Sequence, residues 1–394
     1  MKEVVIVSGA RTATGKFGGT LSNIPAPELG GIALKEAVKR SGIDGSTIDE
    51  VIIGTHFQAG IKANSARQAA IYAGLPVEIP AFTPNKNCGT GLKAINLAAQ
   101  SIQVGDNEIV AAGGCETMNK IPYLLSNARF GYKMGPGELL DGMLYDGLVD
   151  PFVNYHMGIT AENVAEKCGI TREMQDEFAL RSHTLAAKAW SEGKFDADIV
   201  PVTIPQRKGD PIVFDRDETF RENAKIEDYS KLKPAFKAGG TVTAGNASGI
   251  NDGAAVVIMM SGDKAKELGL KPLAKYVASA SAGVEPAIMG YAPVYAVQKL
   301  LNKTGLKKED IGLFELNEAF AAQAVACVKD LGLNPDIVNV NGGAIALGHP
   351  VGCTGARLAI TLIGEMRRRG VRYGIVSLCI GGGQGIATLF ELCE

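Results

Sequence analysis

Short apolar runs alternate with stretches of helical spacing along the first part of the chain. The runs predict strands at residues 4–7, 51–54 and 109–114, and apolar positions three to four residues apart predict helices at 26–41 and 64–72. The run at 109–114 is not interrupted by polar residues, which favours a strand buried on both faces. Alternating strands and helices are typical of a layered α/β core.

The pattern changes between about residues 119 and 247, where glycines, prolines and charges separate isolated helices such as 171–192. We interpret this segment as a loop domain inserted into the core. An apolar strand at 253–260 returns to the core. The chain is therefore expected to divide into an N-terminal half, 1–268, and a C-terminal half, 269–394.

The C-terminal half repeats the order of the first half. Strands are predicted at 272–277 and 311–316, and helices at 294–304 and 317–331. Each half also contains a Thr-Gly pair that opens an apolar helix: Gly89-Thr90-Gly91-Leu92-Lys93-Ala94-Ile95 in the first and Gly352-Cys353-Thr354-Gly355-Ala356-Arg357-Leu358-Ala359-Ile360 in the second. A duplicated unit of this kind predicts that the two helix N-termini face one site.

Cys88 lies where the first of these two helices begins. A helix N-terminus stabilises negative charge by about 0.3–1 kcal/mol, and a cysteine in that position can have a lowered thiol pKa. Gly89 and Gly91 allow a substrate or another backbone to approach closely. We therefore expect an acidified, reactive thiol, the alternative being a small buried apolar residue at a helix start.

The second half supplies further reactive groups. His349 lies in a glycine-rich loop before the repeated helix, and a neutral imidazole beside a thiol can activate it as a nucleophile. Cys379 ends an apolar strand and is followed by Gly381, in a flexible turn whose free N–H groups could form an oxyanion hole. Asn317 follows another strand and is predicted to cap the next helix.

Composition narrows the class of protein. The 394 residues carry 40 basic and 42 acidic side chains, so charge provides no general attraction to nucleic acid or to an anionic membrane. Seven cysteines without a Cys-x-x-Cys pair, together with four histidines, give little support to a metal site. The odd number of cysteines predicts reduced thiols and a cytoplasmic location, and we expect no membrane span.

Four motifs, in order along the whole chain, resemble those of the thiolases, and most closely those of the short-chain acetyl-CoA acetyltransferases. This resemblance implies a thiolase-like duplicated α/β core, layered αβαβα, with the loop domain inserted in the first half. It also implies a reversible Claisen condensation of two acetyl-CoA to acetoacetyl-CoA plus CoA, with coenzyme A as substrate and product and no separate cofactor. The motifs are Asn87-Cys88-Gly89, Asn317-Glu318-Ala319-Phe320, Gly348-His349-Pro350 and Cys379-Ile380-Gly381-Gly382-Gly383.

The resemblance implies a role for each reactive residue. Cys88 would be the nucleophile that carries the acyl group, and His349 would be its activating base. Cys379 would remove a proton from the methyl carbon of acetyl-CoA. His349, with a water held by Asn317, would form one oxyanion hole, and the N–H groups of Cys88 and Gly381 a second.

The same resemblance implies where coenzyme A and the acyl group bind. Arg221 would contribute charge near the nucleotide phosphates, while Ser248 and Ala244 would line the pantetheine tunnel. Met157 and Met289 would limit the acyl pocket to short chains. The implied substrate-binding set is completed by His156, Phe236 and Phe320.

The sequence differs from the usual thiolase motifs at several positions. Asn87 stands where an apolar residue is common and can alter the environment of the nucleophile, and His56 and Cys115 are also unusual. The apolar and aromatic residues at 119–134 resemble the loop by which short-chain thiolases pair their dimers, which predicts a homotetramer.

Other classes remain open at this stage. The main alternative is a 3-ketoacyl-CoA thiolase of broader chain length in fatty-acid degradation. A carrier-protein-dependent ketosynthase, a cysteine hydrolase and a non-catalytic binding protein are further alternatives, and a second reactive thiol at Cys379 favours the thiolase over them.

Overall fold

The computed structural model describes residues 1–393. Within these residues the strands are β1 (Val4–Thr12), β2 (Gly15–Lys16), β3 (Glu50–Gly54), β4 (Ala81–Phe82), β5 (Ile109–Thr117), β6 (Tyr123–Leu124), β7 (Leu140–Asp141), β8 (Ile199–Val200), β9 (Val202–Ile204), β10 (Ile212–Phe214), β11 (Asn251–Ser261), β12 (Ala274–Gly283), β13 (Leu313–Leu316), β14 (Tyr373–Ile380) and β15 (Gln384–Leu392). The helices are α1 (Ala26–Ser41), α2 (Ser65–Tyr72), α3 (Thr90–Val104), α4 (Met157–Cys168), α5 (Arg172–Ser191), α6 (Ile226–Ser230), α7 (Gly262–Glu267), α8 (Ala292–Thr304), α9 (Ala321–Leu331), α10 (Ala344–Leu347) and α11 (Thr354–Arg369). None of these helices is long and apolar enough to cross a membrane.

One large mixed sheet shows the duplication directly. Its strand order is β13-β14-β15-β12-β1-β11-β5-β3-β4, and in addition β2 pairs with β11 and β8 pairs with β1. In the first half, β3 and β5 are parallel. The next pairs, β5 with β11 and β11 with β1, are antiparallel. In the second half, β13 and β14 are parallel. The next pairs, β14 with β15 and β15 with β12, are antiparallel. The two halves have the same order and sense of pairing, and β1 joins β12 antiparallel between them.

Helices cover both faces of each half of the sheet. In β5, Ile109 packs with α1 and α2, whereas its neighbour Val110 packs with α3 and α11. In β15, Leu389 packs with α8 and α9, whereas Phe390 packs with α3 and α11. Since adjacent strand residues point to opposite faces, α3 and α11 form a middle layer between the two halves. This arrangement confirms the predicted αβαβα layering and the burial of β5 on both faces.

One local prediction is wrong. The helix expected from residue 317 begins at Ala321, and Phe320 is its N-cap residue, so Asn317 does not cap it. The backbone N–H of Asn317 instead donates to the carbonyl oxygen of Ser377 at 2.9 Å, which extends the pairing of β13 with β14. The Asn317 side chain is thereby left free to point towards His349.

A buried ion pair ties the 119–247 segment to the core. Arg11 of β1 donates from Nη1 and Nη2 to the two carboxylate oxygens of Asp217, at 2.9 and 3.1 Å. Asp217 also accepts the backbone N–H of Thr14 at 2.6 Å, and the Arg11 guanidinium lies over the ring of Phe195. Both charged side chains are at most 1% exposed. Each charge therefore depends on the other for the compensation that water would otherwise give.

We expect Asp217→Ala to lower the free energy of unfolding by about 3–5 kcal/mol, because it leaves the Arg11 charge buried without its partner. Urea unfolding of the variant would measure this loss. Glu222→Ala is the control, since it removes an ion pair with Arg216 whose side chains are both more than half exposed, and it should cost about 0–1 kcal/mol. Equal losses in the two variants would contradict the anchoring role of the Arg11 pair.

Candidate active site

The two repeated helices cross with their backbones in contact. A Cβ atom added to Gly91 would lie 2.9 Å from the carbonyl oxygen of Gly352, and one added to Gly355 would lie 2.3 Å from the backbone nitrogen of Leu92. Helix α3 begins at Thr90 and α11 begins at Thr354, which are the two threonines matched in the repeat. The crossing therefore brings both helix starts to one place, as the duplication predicted.

A cavity of about 370 Å³ opens at these helix starts, a volume suited to a small acyl group and its carrier. Cys88, His349 and Gly381 all line it. The lining also contains most of the residues predicted to bind substrate: His156, Met157, Phe236, Ala244, Ser248, Met289 and Phe320.

Three predicted residues lie outside this lining. Cys379 is fully buried in the apolar cluster that holds Met157 and Phe320, and Asn317 is buried beside His349. Arg221 is exposed, and its backbone N–H donates to Nδ1 of His183 at 3.0 Å. The structure therefore packs Cys379 and Asn317 against residues that line the cavity and leaves Arg221 at the surface.

Cys88 lies in a 3₁₀ turn, Asn87–Gly89, that leads directly into α3. Burial raises the pKa of its thiol to about 11, although hydrogen bonds from the N–H of Gly381 and from its own N–H act in the opposite direction. The expectation of an acidified thiol at Cys88 is therefore wrong. Loss of hydration among apolar neighbours such as Phe57, Met118 and Val351 exceeds the effect of the helix end.

The hydrogen bonds of His349 fix its tautomer. Nδ1 of His349 lies 2.6 Å from the hydroxyl oxygen of Thr354, and that hydroxyl donates to the carbonyl oxygen of Pro350 at 2.8 Å. The hydroxyl oxygen must then accept a hydrogen bond from Nδ1–H, which leaves Nε2 unprotonated with its lone pair. Burial, together with Arg357 and His56, lowers the pKa of His349 to about 3. A neutral imidazole with an unprotonated Nε2 is suited to accept a proton.

Asn317 places a side-chain oxygen that accepts no hydrogen bond from residues 1–393 beside this base. Its Nδ2 lies 3.4 Å from Nε2 of His349, and its backbone oxygen accepts from Gln323 at 3.0 Å. Its buried Oδ1 has no hydrogen-bond partner among residues 1–393. Because buried polar atoms are normally paired, this oxygen fits the water molecule that the thiolase resemblance implies at the site.

Cys379 lies in a different apolar cluster from Cys88. Cys88 packs with the cluster of Phe57 and Val351, whereas Cys379 packs with the cluster of Met289 and Phe320. Burial raises the pKa of the Cys379 thiol well above its ordinary value, and the nearby sulfur of Cys88 adds to the effect. A thiolate formed there would be a strong base, because basicity rises with the pKa of the conjugate acid.

Two residues that shape the site were not identified from the sequence. Thr354 orients His349, as described above. Glu116 is fully buried and accepts N–H groups from His56, Phe57 and Gly352, at 3.0, 3.2 and 2.8 Å. It thus joins the loop after β3 to the loop that carries His349, and burial raises its pKa to about 8. A carboxylate at the end of a strand buried on both faces was the signal that could have identified it.

Potential metal ligands do not cluster in the part of the chain that the structure describes. Among residues 1–393 no group of three or more His, Cys, Asp and Glu side chains is placed to hold a metal ion.

Known proteins resemble this chain along its whole length. An acetyl-CoA acetyltransferase of Cupriavidus necator is 55% identical over 391 residues, covering 99% of this chain and 100% of the relative. A probable acetyl-CoA acyltransferase of Staphylococcus aureus strain COL is also 55% identical, over 389 residues and 99% of each chain. The crystal structure of the Bacillus anthracis acetyl-CoA acetyltransferase superposes with a TM-score of 0.98 at 49% identity, covering 100% of this chain and 99% of that one.

Two family domains account for nearly all of the chain. The thiolase N-terminal domain matches residues 4–263, and the thiolase C-terminal domain matches residues 270–392. Together with the relatives and the shared architecture, these matches show that the chain belongs to the thiolase family.

Proposed function

We propose that this protein is an acetyl-CoA C-acetyltransferase that condenses two acetyl-CoA to acetoacetyl-CoA and CoA through an acyl-cysteine, reversibly. The supporting observation is the placement of two neighbouring thiols at one cavity. Cys88 lines this cavity together with the neutral His349, and Cys379 packs with the lining residues Met289 and Phe320. A cysteine hydrolase would use the first thiol and the imidazole but has no need of the second. The named relatives support the same assignment.

The first half-reaction transfers an acetyl group to Cys88. Nε2 of His349 takes the Cys88 proton, and the thiolate attacks the carbonyl carbon of acetyl-CoA. The carbonyl oxygen gains a negative charge that the N–H groups of Cys88 and Gly381 stabilise. The C–S bond to CoA then breaks, and the departing sulfur takes the proton of Cys379. Cys88 is left as an acetyl thioester, His349 as an imidazolium and Cys379 as a thiolate.

The second half-reaction forms the new carbon–carbon bond. The Cys379 thiolate removes a proton from the methyl group of a second acetyl-CoA, and the enolate oxygen is stabilised by Nε2–H of His349 and by the water on Asn317. The carbanion attacks the acetyl carbon on Cys88. The Cys88 sulfur leaves and regains its proton from His349, so that acetoacetyl-CoA forms and every side chain returns to its first state.

Coenzyme A is proposed to enter between the start of α4 and the turn at Ala244 and Ser248, which both line the cavity. His156 stacks on Phe236 with ring centroids 4.6 Å apart, and this pair forms one wall of the entrance. The exposed Arg221 is proposed to reach the nucleotide phosphates, since a guanidinium binds phosphate oxygens through paired N–H donors.

We expect the enzyme to prefer short 3-ketoacyl groups, because Met157, Met289 and Phe320 are each less than a tenth exposed and close the acyl end of the cavity. Initial thiolysis rates should give a kcat/KM for acetoacetyl-CoA at least about tenfold above that for 3-ketohexanoyl-CoA. Met289→Ala should narrow this ratio by enlarging the pocket. Equal rates for four-, six- and eight-carbon substrates would favour a 3-ketoacyl-CoA thiolase of broader chain length.

Short incubation with acetyl-CoA should leave one acetyl group on the peptide that carries Cys88, as measured by mass spectrometry. Cys88→Ser should carry no label. Cys379→Ala should still acquire it, more slowly, because the nucleophile Cys88 and its base His349 are kept and only the proton donor to the departing CoA is lost from this step. An acetyl group on Cys379 in the unmodified enzyme would reverse the two assignments.

We further propose a homotetramer that works in the cytoplasm. Large apolar side chains are exposed along the inserted segment, among them Tyr123 at 61%, Phe130 at 89% and Met134 at 99%, as expected of a surface that another subunit covers. The cysteines in residues 1–393 are unpaired thiols, which fits a reducing compartment.

Light scattering should give a mass near that of four 41.2 kDa chains. The double variant Phe130→Glu with Met134→Glu should lower this mass, because it places charge in the proposed contact. A mass near one chain for the unmodified protein would contradict the assembly.

A further inference from the structure

Asn87 links the two reactive segments of the cavity. Its side-chain Nδ2 donates to the carbonyl oxygen of Gly381 at 3.0 Å. Asn87 directly precedes Cys88 in the first half of the chain, and Gly381 follows Cys379 in the second. The hydrogen bond therefore runs between the turn that carries one thiol and the loop that carries the other.

The peptide between Gly381 and Gly382 is held from both sides. The carbonyl oxygen of this peptide, on Gly381, accepts from Asn87. The N–H of the same peptide, on Gly382, donates to Oδ2 of Asp150 at 3.0 Å. The loop is also tightly packed, because a Cβ atom on Gly381 would lie 2.7 Å from Cε of Met157. A glycine has an otherwise permissive backbone, so these contacts on the following peptide restrict the direction in which Gly381 presents its own N–H.

Asn87 is itself fixed in a conformation that few residues adopt. Its φ is +45°, in the left-handed region that asparagine tolerates better than most side chains. Its backbone N–H donates to Oδ1 of Asn85 at 3.0 Å. Asn85 in turn donates from Nδ2 to the carbonyl oxygen of His56 at 3.0 Å, and its Oδ1 lies 3.4 Å from Nδ1 of that histidine. Hydrogen bonds thus run from His56 through Asn85 and Asn87 to Gly381.

We propose that Asn87 is a positioning residue that holds the N–H of Gly381 where the thioester oxygen becomes negatively charged at Cys88. This inference rests on the proposed acetyl transfer. It accounts for a polar side chain at a position where thiolases commonly have an apolar one. The effect is confined to the oxyanion hole at Cys88, since the enolate oxygen is stabilised separately, by His349 and the water on Asn317.

Two exchange reactions separate these oxyanion holes. Exchange of labelled CoA into acetyl-CoA passes through the tetrahedral intermediate at Cys88 and forms no enolate. Exchange of the acetyl-CoA methyl protons with deuterated water needs Cys379 and the enolate. Removal of one oxyanion donor costs about 10²–10³ in kcat, and we expect a misplaced donor to cost less. For Asn87→Gly, which keeps the left-handed backbone, we expect the kcat of CoA exchange to fall about tenfold, with KM and methyl-proton exchange within about twofold.

Asn64→Gly is the matched control. Asn64 is also left-handed, with φ of +51°, and its side chain accepts the N–H of Arg67 far along the chain from Cys88. This variant should leave both exchange reactions unchanged. If Asn87→Gly does not fold, Asn87→Asp replaces it, because a carboxylate keeps the shape and presents no donor to the Gly381 oxygen.

Three results would overturn the inference: unchanged CoA exchange in the Asn87 variant, a parallel loss of both exchange reactions, or a loss of CoA exchange that appears as a raised KM. Failure of the proposed function is a different observation, because the unmodified protein would then catalyse neither exchange.

Discussion

The close crossing of α3 and α11 is the constraint on which the site depends. At Gly91 and Gly355 the two backbones leave no space for even one side-chain carbon, and a Cβ on Gly114 of β5 would lie 1.9 Å from the oxygen of Gly352. Any larger residue at these positions would push the middle layer apart. The crossing brings the turn of Cys88 and the loop of His349 together, although 261 positions separate residues 88 and 349 in the chain. Catalytic geometry is here a consequence of core packing.

Burial in this middle layer sets the electrostatics of the site. A helix N-terminus contributes about 0.3–1 kcal/mol to a nearby anion, less than the roughly 1.4 kcal/mol that corresponds to one pKa unit. It therefore cannot offset the desolvation that raises the pKa of Cys88 to about 11. The same burial keeps His349 uncharged. In the proposed reaction, Cys88 therefore starts as a neutral thiol, and its proton passes to the neutral His349 when the thiol attacks the thioester.

Periodicity and repetition in the sequence were sufficient to predict the layered core. The predicted helix at 26–41 coincides with α1, and the Thr-Gly repeat correctly located the starts of α3 and α11. The interpretation of Asn317 as a cap was wrong, because pairing beyond the end of β13 depends on a distant strand. The raised pKa of Cys88 and the contacts of Glu116 could not be predicted from the sequence either, because both depend on which segments meet in three dimensions. The segment at 119–247 has no regular period, so its contacts with the core could not be derived from pattern.

One difference between the two copies of the repeat changes the hydrogen bonding of their matched threonines. The residue four positions before the helix start is Lys86 in the first copy and Pro350 in the second. In the first copy the N–H of Lys86 donates to the hydroxyl oxygen of Thr90 at 2.8 Å. Proline has no N–H, so the hydroxyl of Thr354 donates to the Pro350 oxygen and still has a lone pair for Nδ1 of His349. A substitution that removes one backbone donor therefore fixes the tautomer of the histidine and directs its free nitrogen, Nε2, away from the helix start.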